Sequence, residues 1–130
     1  MRKLSLLLVA ILFLFATNSF SQLSGTKNIP GDYATLLDAV TALNTQGVGA
    51  GGVTFVLGAN QSLAASLQIG SATLNSGAAA TSQANPVVID GAGFGIIANF
   101  AGTRAGGLTA SIANDASLVI NGTDFITIKN

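Results

Sequence analysis

Apolar and polar positions divide the chain into three zones. Leu4 to Ala16 is an apolar run broken only by Ser5, with Arg2 and Lys3 before it. Polar Thr17-Asn18-Ser19-Phe20-Ser21 follows, with Ser19 and Ser21 as small residues ahead of a cut before Gln22. This pattern predicts a cleavable secretory signal over residues 1–21. The apolar run of 13 residues is shorter than the about 20 residues a membrane span needs. No Cys follows it, which excludes a lipid anchor on cysteine.

The second zone has helical rhythm. After the turn signal Pro30-Gly31, Tyr33, Leu36, Leu37, Val40 and Leu43 recur as one apolar stripe. Asp32 precedes the stripe as an N-cap candidate, and Gly47 follows it at a position suited to a left-handed C-terminal residue. The prediction is one amphipathic helix over about residues 32–46. Its single apolar face must lie on other apolar structure.

In the third zone the apolar runs become short and β-branched. Val53-Thr54-Phe55-Val56-Leu57 lies between Gly52 and Gly58, with Val53, Phe55 and Leu57 expected to face one way. Further strands are predicted at 67–69, 86–90, 95–100, 117–120 and 125–128. Residues 70–85 and 101–114 are small-residue sequence without period, read as loops. Many short strands fit either a sandwich or barrel or a parallel β-helix. Asn121-Gly122 could form a tight hairpin, which favours the antiparallel option. The next strand restarts only at Phe125, however, so a corner between two strands of one coil fits better. A single helix at the front suits a cap over the open end of stacked strands. The expected fold is mainly β: the start of a right-handed parallel β-helix with an N-terminal amphipathic cap helix. A small antiparallel β-sandwich is the alternative.

Composition narrows the chemistry. Among 130 residues there is no Cys, His or Trp, and all five acids are Asp. A nucleophile activated by His, a disulfide framework and a Cys/His zinc site cannot be built from this chain alone. Five basic against five acidic residues leave no electrostatic footprint for nucleic acid. Loss of residues 1–21 leaves 109 residues, with Lys27, Arg104 and Lys129 against Asp32, Asp38, Asp90, Asp115 and Asp124, a net charge of −2.

No motif singles out a site. Gly47-Val48-Gly49-Ala50-Gly51-Gly52 matches G-x-G-x-x-G in spacing. It follows a helix and precedes a strand, the reverse of a dinucleotide loop, so it reads as a helix-to-strand connection. Gly91-Ala92-Gly93-Phe94-Gly95 reads as a coil turn. Asp90 and Asp124 flank strands where Asx turns explain them, although stacked coils could align the two. Asp38 is placed on the polar side of the helix, Asp115 at a loop end, and Arg104 in a loop. Tyr33, Phe55, Phe94, Phe100 and Phe125 fit core packing better than a sugar-stacking platform. Asn60-Gln61-Ser62 and Asn121-Gly122-Thr123 match the glycosylation pattern only formally. The expectation is no catalytic, cofactor-binding or metal residue in this segment, and no cofactor.

A family resemblance adds to this reading. Ile29-Pro30-Gly31-Asp32-Tyr33-Ala34-Thr35-Leu36, Ala39-Val40, Leu43-Asn44, Gly47-Val48 and Gly52-Val53-Thr54-Phe55 resemble the start of exported Bacteroidetes surface proteins. Asn85-Pro86-Val87-Val88-Ile89-Asp90-Gly91 and Asp124-Phe125-Ile126-Thr127-Ile128 resemble coils of the same group. The resemblance implies a pectin-lyase-like right-handed β-helix, usually delivered by type IX secretion to the cell surface or the medium. On it, residues 22–58 are the N-terminal cap with a first strand at 53–57, and residues 59–130 are the first coils. A coil ending at Asn130 would be uncapped, so the chain is expected to be the front part of a longer solenoid. The expected role is noncatalytic, adhesive or structural, outside the cell. The alternative is the leading portion of a polysaccharide lyase or glycoside hydrolase whose active site lies downstream. Expected partners are a surface polysaccharide or another cell-surface component, with no nucleic acid, and the membrane only during export.

Overall fold

A computed structural model describes residues 21–98 and 118–130. The predicted signal at 1–21, apart from Ser21, lies outside the described residues. So do Phe100, Arg104, Asp115 and the predicted loop at 101–114. The described part is mainly β with parallel strands. In chain order it contains β1 (Leu23–Ile29), α1 (Leu36–Gln46), β2 (Val48–Leu57), β3 (Gln61–Leu63), β4 (Leu67–Ile69) and the one-turn helix α2 (Ala72–Asn75). There follow β5 (Val87–Asp90), β6 (Ile96–Ala98), β7 (Leu118–Ile120) and β8 (Ile126–Lys129). Among the described residues no helix is long and apolar enough to cross a membrane.

The described strands form three sheets, ordered β1-β2-β5-β8, β3-β6 and β4-β7. Every described pair is parallel. The antiparallel alternative is therefore not what these residues adopt. β7 and β8 belong to different sheets, so Asn121-Gly122 is a corner and not a hairpin. The chain visits the three sheets in the same order twice, as β2, β3, β4 and then as β5, β6, β7.

Side chains that alternate along the strands fill the interior. Val53, Phe55 and Leu57 are buried, as their spacing predicts, and so are their neighbours Val87 and Ile89. Leu63, Leu67 and Ile69 close the core from the two smaller sheets. From α1 come Leu36, Ala39, Val40 and Leu43.

The helix starts later than its pattern predicts. Its N-cap is Thr35, whose Oγ1 accepts the Asp38 N–H at 3.1 Å while Asp38 Oδ2 accepts the Thr35 N–H at 3.2 Å. Asp32 belongs instead to the preceding turn, where its Oδ2 accepts the Asn28 N–H at 2.8 Å. The buried row is Leu36, Ala39, Val40 and Leu43, at i, i+3, i+4 and i+7, so Ala39 faces inward. Leu37, one step of rotation away, is 55% exposed.

Two strands escape the sequence pattern. β1 is apolar only at Leu23 and Ile29 and exists through its pairing with β2. β3 carries a buried Gln61 at a position that alternation assigns to an apolar residue. The predicted loop at 70–85 also holds α2, which buries Leu74.

Candidate functional site

Several described polar side chains tie separate strands, turns and the helix to one another. Four asparagines repeat one arrangement, in which Oδ1 accepts a glycine N–H. Asn44 serves Gly70 and Asn85 serves Gly51, each at 3.0 Å. Asn60 serves Gly95 and Asn130 serves Gly93, each at 2.8 Å. A carboxamide presents the same acceptor as a peptide carbonyl, so it can satisfy a backbone donor that a turn removes from the strand ladder. Asn44 goes further, because its Nδ2 also donates to the Gln68 carbonyl at 2.8 Å.

The buried polar groups are likewise engaged. Gln61 Oε1 accepts the N–H of Leu36, the first residue of α1, at 2.9 Å, and its Nε2 donates to the Ala59 carbonyl at 3.1 Å. That N–H is one of the donors a helix start leaves without an internal acceptor. Thr123 Oγ1 donates to Asn75 Oδ1 at 2.6 Å. Among the described residues, no buried side-chain nitrogen or oxygen lacks a partner.

The glycine-rich segment is not a simple connection. Residues 49–52 form a bulge inside β2: Leu23 pairs with Val48, while Gly25, two residues on, pairs with Val53. The Gly51 amide donates to Asn85, and Val53 donates to the Pro86 carbonyl at 2.9 Å.

The described acidic side chains do not gather. Register sets Asp90 against Lys129, not against Asp124, and the carboxylate meets the ammonium at 2.8 Å. Asp90 Oδ1 also accepts the Ala92 N–H at 3.0 Å, the Asx turn its position predicts. The Lys129 hydrogen bond, aided by the Ala92 amide, holds this carboxyl below the usual aspartate range. Among the described residues no three Asp, Glu, His or Cys side chains gather as metal ligands.

Aromatic positions divide. Phe55 is buried and meets half-buried Tyr33 edge to face at 6.1 Å. Burial, with the Asp32 charge beside it, raises the Tyr33 phenol above its ordinary pKa. Phe94 and Phe125, expected in the core, are 39% and 50% exposed. Both lie in corners outside the strands, where alternation no longer directs a side chain inward. Phe94 borders an open groove of about 370 Å³ with Leu57, Ile89, Ile96, Ile128 and Lys129. Its lining is apolar apart from Lys129, Asn130 and backbone groups, and the Lys129 ammonium is already paired with Asp90.

Of the residues considered in the sequence, Asp32, Asp38 and Asp90 serve local turns and caps. Asp124 is exposed. Each asparagine contact joins residues far apart in sequence, so no local pattern reveals it. The available signal is the recurrence of Asn and Gly near the ends of successive elements. The chain matches no protein-family model, no curated protein and no solved structure.

Proposed function

We propose that these residues form circuits of a right-handed parallel β-helix in an exported surface protein, and that the segment is a noncatalytic scaffold with an adhesive or structural role. The observation that carries this reading is the repeated itinerary: β2, β3 and β4 pair in order, and in parallel, with β5, β6 and β7. A chain that winds through three sheets and returns to the first meets that pattern at each circuit. Crossovers between parallel strands are right-handed in nearly all proteins. On this reading α1 is the cap, placed beside β4 and tied to it through Asn44. The engagement of asparagine and aspartate side chains at corners supports a scaffold role. Export rests on Arg2, Lys3, the apolar run and the Ser19/Ser21 cleavage pattern.

The test is expression in a Bacteroidetes host, with cell fractionation and mass spectrometry of the product. The expected result is a surface or medium fraction that begins at Gln22. Retention of uncleaved chain inside the cell overturns the export assignment. Purified chain is then incubated with uronic-acid polysaccharides and assayed for reducing or unsaturated ends. Release of either end-group overturns the noncatalytic assignment.

A further inference from the structure

We propose that Asn121 is a self-modification site, at which the side-chain amide is lost through attack by the backbone nitrogen of Gly122. Asn121 is exposed, and among the described residues its side chain makes no hydrogen bond. The Gly122 amide donates to nothing among the described residues. Gly122 has φ of 68° and no Cβ to shield its nitrogen. Electrophile and nucleophile are therefore adjacent, in two exposed residues, and without hydrogen-bond partners among the described residues, while the Asn121 carbonyl between them accepts from Asn75 Nδ2.

The other described asparagines are held differently. The side chains of Asn44, Asn60, Asn75, Asn85 and Asn130 all take part in hydrogen bonds. Asn28 is followed by buried Ile29, whose branched side chain crowds the attacking nitrogen. Asn121 is the one described asparagine followed by glycine.

The chemistry needs only water. The Gly122 nitrogen forms a bond to Cγ of Asn121, the bond from Cγ to Nδ2 breaks, and ammonia leaves carrying the proton from the backbone amide. Water then opens the cyclic imide at either carbonyl, giving aspartate or isoaspartate. Both products add a negative charge. Isoaspartate also adds a methylene to the main chain between β7 and β8. That corner has little room, because Gly70 packs against the Asn121 carbonyl so closely that a Cβ there would overlap it.

The experiment is incubation of the purified native chain at neutral and mildly alkaline pH, with peptide mapping by mass spectrometry over time. The expected result is conversion of amide to acid at Asn121, ahead of every other described asparagine. Isoaspartate should be detectable with an isoaspartyl methyltransferase, and conversion should be faster at the higher pH. G122A should slow the reaction. Persistence of the Asn121 amide in the native chain, with loss in the denatured chain, overturns the proposal. Equal conversion at Asn28 and Asn121 overturns it as well.

Discussion

Asn44 holds Gly70 as a neighbouring strand would, accepting its N–H at 3.0 Å while donating to the carbonyl of Gln68 at 2.8 Å. On its other side β4 pairs with β7. The helix therefore completes a strand edge that has no described strand beside it. Edge groups left without partners invite pairing with other chains.

Asn44→Ala removes a donor and an acceptor together. The expected cost is about 1–3 kcal/mol, because two backbone groups lose their partner. Asn44→Asp keeps the acceptor for Gly70 and loses the donor for Gln68, so it should fall between wild type and the Ala variant. Urea midpoints at constant slope give the order. Equal midpoints for wild type and Asn44→Ala would show that water replaces the amide without loss.

Gly51 and Gly52 separate two reasons for a glycine. Both have positive φ, at 83° and 79°. A Cβ on Gly51 would meet nothing within 4 Å, whereas one on Gly52 would overlap the carbonyl oxygen of Pro86. Gly51→Ala should cost about 1–2 kcal/mol from backbone strain alone. Gly52→Ala must also push β2 away from residue 86, and should cost about 3 kcal/mol or more. Thermal unfolding of the two variants side by side decides the matter, and equal losses would refute the close approach to Pro86.

Strand positions with their own alternation were legible in the sequence. Val53, Phe55 and Leu57 face inward because a period of two leaves them no other arrangement against a core. β1 was hidden because LSGTKNI carries no alternation, and its strand conformation comes from the partner β2. Gln61 was hidden for a related reason. Its place in the interior depends on the Leu36 N–H, 25 residues away, and no local pattern encodes that distance. The helix starts beyond the cap position that Asp32 predicts, with Thr35 as its N-cap. The turn after Ile29 engages Asp32 and leaves Thr35 to pair with Asp38. The contacts of Asn44, Asn60, Asn85 and Asn130 are long-range in the same sense as that of Gln61.

The Asp90–Lys129 pair gives a pH prediction with a definite sign. The folded carboxyl titrates below its unfolded value, so folding favours the ionised form. This contribution is fully present above the unfolded carboxyl pKa. It is lost as pH falls through the lower folded value. Lys129→Gln removes the largest cause, and the Asp90 carboxyl should then titrate closer to the ordinary range. Added salt should have a similar, weaker effect, because the lysine is 56% exposed. Carboxyl carbon shifts followed by NMR through the acid range measure both. An unchanged titration in Lys129→Gln would assign the shift to the Ala92 amide instead.

Phe55, Ile89 and Ile128 occupy one register column across β2, β5 and β8. Their exposures are 0%, 1% and 48%, so the same inward position loses its cover at the last described strand. Truncation should follow that gradient. Phe55→Ala leaves a cavity beneath Tyr33 and should cost about 3–5 kcal/mol, and Ile89→Ala about 2–5 kcal/mol. Ile128 already has half of its surface in water, so Ile128→Ala should cost only about 1 kcal/mol. Denaturant unfolding of the three variants, with midpoints read at constant slope, tests the series. A loss at Ile128 as large as that at Ile89 would mean that β8 is covered in solution, by another chain or by another part of this one. Sedimentation of wild type over a range of concentrations then distinguishes the two, since only cover by another chain depends on concentration.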